Sequence, residues 1–311
     1  MTANKITAGA KKQTRAVWDL LAETYRQWSR DNAPTLGAAL AFYTTFSLAP
    51  LLIVATAVAG FIFGRAEVQA EIFQRLQELV GSEGARTVEI MLSAAFRPGS
   101  GLTASIIGVG VLLYGSTRSF VMLRQALNLM WGVKPPPRLD LGEVITGQLL
   151  SFALVLGIGF LLVLSLVASA GLAAMSRFME DLLPVPVFFF QLANVIFSIA
   201  LITLLFATIF KVLPEVHIAW RDVWVGSALT ALLFTVGNVI LGWYLAKSTV
   251  SSAYGAASSL AVLLLWVYYS AQILFLGAEF TQVYANQYGS KVQPRASRRT
   301  PPAPPPGEPQ A

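Results

Sequence analysis

The sequence predicts an all-α, polytopic membrane protein: a bundle of six transmembrane helices with amphipathic helices at the membrane interfaces. Three observations carry that expectation. Hydrophobic residues fill 55% of the 311 positions and charged residues only 12%, with a mean hydropathy of +0.63, too apolar for an ordinary soluble domain. Between Pro34 and Gly289 lie six apolar stretches of about 20 residues or more, which at a rise of about 1.5 Å each match a hydrocarbon core roughly 30 Å thick. The basic residues between them are also segregated. If both termini lie inside, fourteen Lys and Arg fall on the inner side and six on the outer, with Arg118 and Arg124 in the inner half of the second span. That bias and the even span number place both termini in the cytoplasm.

Residues 1–34 form a cytoplasmic N-terminal segment. Lys5, Lys11, Lys12, Arg15, Arg26 and Arg30 occur there with no short apolar core and cleavage site, so no removable signal peptide is expected. Within 14–31, Val17, Trp18, Leu21, Tyr25 and Trp28 recur at helical spacing among charged residues, predicting an amphipathic helix along the inner interface or packed on the bundle. The transmembrane domain covers 35–288. Span one, near 36–63, holds Tyr43 and Pro50; the proline removes a backbone donor and predicts a kink facing protein or water, a candidate cavity wall. Segment 65–97 alternates apolar and charged residues at helical spacing and reads as amphipathic helix on the outer side, broken near Gly81–Gly84.

Spans two to six fall at about 102–130, 143–170, 187–212, 223–246 and 258–285. The turns at 132–142 and 213–222 are short, so the helices they join are expected to be antiparallel neighbours. The tail, 289–311, is rich in proline and is predicted to be disordered with polyproline character.

Several function classes are disfavoured. The net charge of +6 in so apolar a chain fits loops facing anionic lipid better than nucleic acid. There is no cysteine, and His217 is the single histidine, so no thiolate site, zinc cluster or histidine acid–base pair is spelled out. No GxxxxGK[ST] loop occurs. Neither an enzyme nor a cofactor is expected, and the partners expected are membrane lipids.

The informative residues are polar groups inside spans, because an ionisable side chain at membrane depth is costly and faces protein or water. Arg118 in span two and Glu279 in span six both fall in the inner half, where they are expected either to pair across a helix interface or to present charge to a cavity. Arg118, Gln125 and Asn128 share one helix face, with Arg124 offset, a basic, amide-rich stripe suited to a phosphate or carboxylate headgroup. Tyr254 and Gly255 lie in the small-residue segment before span six, a candidate anion site at a helix N-terminus or a tight-packing segment; Tyr268 and Gln272 add mid-span polar groups.

Four stretches together resemble the YihY/BrkB family of bacterial inner-membrane proteins: LGAALAFYTTFSLAPLLIV at 36–54, GSTRSFVMLRQALNLMWGV at 115–133, KVLPEVHIAWRDVWVGSALTALLF at 211–234 and SAYGAASSLAVLLLWVYYSAQILFLGAEFTQVYA at 252–285. The resemblance covers roughly 36–288 and includes Arg118, Asn128, Trp131, Pro214, Gly255, Trp266 and Glu279. It implies six spans with cytoplasmic termini in the inner membrane. Family members have carried a ribonuclease label, which these residues do not support, and have been linked to serum resistance and envelope lipid transport. The expected function is a transporter or lipid-moving protein taking an anionic or amphipathic envelope substrate through a polar cavity. The alternative is a non-catalytic membrane scaffold.

Overall fold

The computed structural model describes residues 2–45, 118–133, 187–247, 258–291 and 293–294, with short pieces between 69 and 90. Predicted span three, Pro50, Tyr254 and Gly255 lie outside the described residues, as do most of span one and the outer half of span two. The described elements are α1 (Thr2–Arg30), α2 (33–45), α3 (118–130), α4 (Val187–Val212), β1 (Val216–His217), α5 (Trp220–Lys247), α6 (Ser258–Gln287) and β2 (Gln293–Pro294). The last three predicted spans coincide with α4, α5 and α6, each long and apolar enough to cross a membrane.

The antiparallel neighbours α4 and α5 meet through Phe206 and Phe234, whose rings stand edge to face at 5.7 Å. Phe206, Phe210, Leu213, Val223, Ala231, Phe275 and Ala278 form the main core with Leu127 and Met130 of α3 and Trp131 just after it. The opposite face of α5 leaves Leu232, Val236, Val239 and Ile240 about half to two-thirds exposed, as a lipid-facing surface requires. Exposed Trp220 and Trp224 begin α5 and exposed Trp243 and Tyr244 end it. At about 1.5 Å per residue these pairs lie about 32 Å apart, the spacing of the two aromatic belts of a bilayer.

The α5–α6 contact is a reciprocal interlock. A Cβ at Gly226 would come within 1.8 Å of Thr281 Oγ1, and one at Gly277 within 2.0 Å of Thr230 Oγ1. Each threonine donates its hydroxyl to the carbonyl four residues earlier, and those carbonyls belong to the two glycines: Thr230 to Gly226 at 2.7 Å and Thr281 to Gly277 at 2.6 Å. Two Gly-x-x-x-Thr pairs on antiparallel helices thus fill each other's gaps, and no hydroxyl is left for lipid. Thr45, Thr203, Thr208 and Thr235 satisfy their hydroxyls in the same way.

At one end of the bundle the chain ties itself together. Buried Asp222, at the start of α5, accepts hydrogen bonds from the Ser290 backbone N–H and hydroxyl, both at 2.8 Å. Gly289 fits there because a side chain would collide with the Asp222 carboxylate. Beyond it, β2 pairs antiparallel with β1, Val216 opposite Pro294 and His217 opposite Gln293. Residues 289–290 and 293–294 are thus tied to the bundle through Asp222 and β1. Lys211 closes the same end, donating to the Ile218 carbonyl with its ammonium 5.5 Å from the Trp220 ring.

Candidate functional site

The turn between α1 and α2 positions the site. Asn32 has a φ of 51°, a left-handed conformation that Asn tolerates, and its carbonyl accepts from the Thr35 and Leu36 N–H groups. One residue thus ends α1 and begins α2, and Pro34 falls in the first turn, where a missing N–H is harmless. The reversal lays both helices on α6. From α2, Gly37 leaves room for Gln272, whose Nε2 donates to the Ala33 carbonyl at 3.3 Å.

Along α6, Gln272, Glu279 and Asn286 recur every seven residues on one face, with Gln282 beside them. Glu279 is the single charged residue of α6 and is completely buried. No N–H or hydroxyl donor reaches either of its carboxylate oxygens, and the side chain set against it is another carboxyl, Asp31, from the α1–α2 turn. The amide oxygens of Gln272 and Gln282 are also buried without partners. One turn along from Glu279 opens a groove of about 540 Å³ between α1 and the end of α6. Its walls include Asp19, Ala22, Glu23 and Arg26 from α1 and Gln282 and Asn286 from α6. Within it Arg26 pairs with Glu23 at 3.6 Å, and Gln27 donates to the same carboxylate at 3.3 Å.

Beside the groove α1 keeps an apolar exposed surface: Val17, Leu21 and Tyr25 are exposed, Trp18 is exposed at the groove wall, and Leu20 and Thr24 are buried. The helix therefore packs on α6 by one side and keeps an amphipathic outer side.

Two expectations for site residues change. An Arg118–Glu279 pair is not formed: Arg118 is exposed, and no donor reaches either Glu279 oxygen. The stripe of Arg118, Gln125 and Asn128 also divides differently. Arg124 and Asn128, four residues apart, together hold Glu215 in the α4–α5 connection. Arg124 forms an ion pair with its carboxylate, and Asn128 Oδ1 accepts from its backbone N–H at 2.9 Å. Gln125 is exposed. Helical spacing defined the faces of α3 but did not reveal which connection would reach back to them.

Tyr43 and Tyr268 stand apart from the groove. Tyr43 is half-buried against Phe42, and Tyr268 packs on the small cluster of Ala41, Val88, Leu263 and Val267. The sequence reading missed Asp31, Gln282, Asn286 and the α1 acids Asp19 and Glu23; the seven-residue recurrence of polar residues in α6 was the available signal for Asn286. Among the described residues, no group of three or more His, Cys, Asp or Glu converges to hold a metal ion.

Apolar helices of spanning length, hydroxyls turned back onto their own helices and aromatic residues at both ends of α5 define a helical integral membrane protein. The family model described as Virulence factor BrkB matches residues 24–301, and the chain belongs to that family. It is similar to a UPF0761 membrane protein of Ralstonia nicotianae, 30% identical over 260 residues, which are 81% of this chain and 56% of the relative. A UPF0761 membrane protein of Saccharophagus degradans is 27% identical over 295 residues, 91% of this chain and 63% of the relative. One from Tolumonas auensis is 28% identical over 261 residues, 82% of each. The chain thus spans under two thirds of the length of the first two relatives. No solved structure matches it.

Proposed function

We propose that this protein is a transporter or lipid-moving protein of the bacterial inner membrane, with both termini cytoplasmic and the α1–α6 groove open to the cytoplasmic side. The observation that carries this reading is the polar groove of about 540 Å³ at the end of a spanning helix, one turn from a fully buried carboxylate. Ligand pockets commonly occupy roughly 300–1,000 Å³, enough for a lipid headgroup. The exposed Trp18 and Tyr25 beside basic Arg15 and Arg30 suit a helix lying in an anionic leaflet, which would bring the groove to headgroup level.

Charge narrows the substrate. The groove walls carry Asp19 and Glu23 against Arg26, and Glu279 and Asp31 lie beyond, whereas Arg124 is occupied by Glu215. This balance favours an amphipathic substrate with a positively charged group in its head, such as an aminophospholipid, over a purely anionic one. In liposomes the protein should accelerate translocation of a labelled aminophospholipid, and Ala22→Trp, which fills the groove without changing charge, should slow it. Equal rates for wild type, Ala22→Trp and protein-free vesicles would overturn the proposal.

A second reading, a non-catalytic envelope scaffold, is favoured by the exposed apolar residues of α1 outside the groove, Val17, Leu21 and Tyr25. Retention of an envelope partner by wild type and its loss from Leu21→Ala/Tyr25→Ala, with no translocation by either, would support that alternative.

A further inference from the structure

Glu279 presents a problem of charge that packing does not solve. It is completely buried, both oxygens lack a donor, and the side chain facing it is a second carboxyl, Asp31. Two negative charges cannot share a water-poor pocket without a positive partner. Among the described residues, the elements around it do not supply one. On α1, Arg26 is engaged with Glu23 and Arg30 is exposed. α2 carries no charged residue, and α6 carries none besides Glu279. On α5, Arg221 is exposed, Asp222 is engaged by Ser290, and Lys247 lies at the far end of the helix.

The available atoms share one chemistry. Glu279 offers two oxygens and Asp31 its carboxylate, and the buried Gln282 Oε1 lies one turn along α6. An all-oxygen set suits a hard cation. Two carboxylates are balanced best by one or two positive charges, and with one carboxyl fully buried a small ion fits better than a hydrated one.

We infer that Glu279 and Asp31 form a binding site for a small monovalent cation, a proton or Na⁺, reached through the α1–α6 groove. The site joins the start of the transmembrane bundle to its last helix, so its occupancy bears on whether α1 and α2 stay closed on α6. The inference does not depend on the transport reading, because the test below measures binding through stability and not through movement of a substrate.

The full-length protein in detergent is melted with Na⁺ replaced stepwise by choline at constant ionic strength and pH 8, and separately from pH 6 to pH 9 in choline alone. A cation that binds only the folded state raises Tm with its concentration. If Na⁺ is the ligand, wild type gains about 2 °C or more between low and high Na⁺, and Glu279→Gln gains none. If the ligand is a proton, Na⁺ has no effect. Wild-type stability is then greatest at low pH and falls as pH rises, while Glu279→Gln, a neutral isostere, holds a flat profile and exceeds wild type at pH 9. Asp31→Asn, in a half-exposed turn, gives an independent reading should Glu279→Gln fail to fold. Wild type responding to neither Na⁺ nor pH differently from both variants overturns the site and leaves the proposed function untouched.

Discussion

Replacing Gly226 with alanine tests the packing of α5 on α6 with an unusually clear sign. A Cβ there would sit 1.8 Å from Thr281 Oγ1, 2.6 Å from its Cβ and 2.9 Å from its Cγ2. Reaching ordinary contact with the nearest atom requires the helices to part by about 1.6 Å. Thr281 cannot simply rotate away, because its hydroxyl is bonded to Gly277 O at 2.6 Å and it is completely buried. Overpacking of this kind costs about 1–3 kcal/mol. Alanine, however, is the better helix former by roughly 1 kcal/mol, so without a clash the variant should be more stable than wild type. An approach of 1.8 Å to a buried side chain puts the cost in the upper part of that range, about 2–3 kcal/mol, so the expected balance is a loss of about 1–2 kcal/mol, seen as a Tm lower by roughly 2–5 °C in detergent. Thr281→Gly in the Gly226→Ala background moves the knob to the other helix, and the two changes should couple by about 1 kcal/mol or more in the restoring direction. A Gly226→Ala Tm at or above wild type, or simple additivity of the pair, would refute the interlock.

Other contacts make further predictions. Asp222→Ala removes the acceptor for both Ser290 donors, a loss of about 1.5–3 kcal/mol that falls on the end of the chain. Tryptic cleavage after Lys291 should then be at least roughly tenfold faster, and an unchanged rate would mean that β2 is held without Asp222. Arg124→Ala and Glu215→Ala should couple by about 1 kcal/mol in a double-mutant cycle, because the two groups form one ion pair, while exposed Gln125→Ala should leave Tm unchanged. Independent effects of the first two would show that Asn128 alone positions Glu215.

The spanning helices were legible because hydrocarbon demands long apolar runs, and α4, α5 and α6 begin and end within three residues of their expected limits. Glu279 was legible for the complementary reason: a lone charge in such a run is conspicuous. Its neighbour was not. Depth along two spans suggested Arg118, but depth does not state which helices touch, and Asp31 comes from a turn 248 positions away in the chain. Asn128 and Arg124 were visible as polar groups, yet their role depended on Glu215 folding back from the α4–α5 connection. Gly226 and Gly277 could have been found from their common Gly-x-x-x-Thr spacing on adjacent predicted spans; the more obvious pair, Gly237 and Gly242, is only half used, Gly237 meeting Tyr269 and Gly242 meeting nothing within 4 Å.

The sequence contains no cysteine, so a single introduced thiol reports on one place alone. Gln282→Cys lies in the groove and Tyr288→Cys in the exposed turn just after α6. In inverted membrane vesicles a membrane-impermeant maleimide should label both, and a short-chain aminophospholipid should protect Cys at 282 while leaving 288 unaffected. Failure of the 282 thiol to label, or equal labelling of it with and without the lipid, would contradict a cytoplasm-facing groove that receives a headgroup.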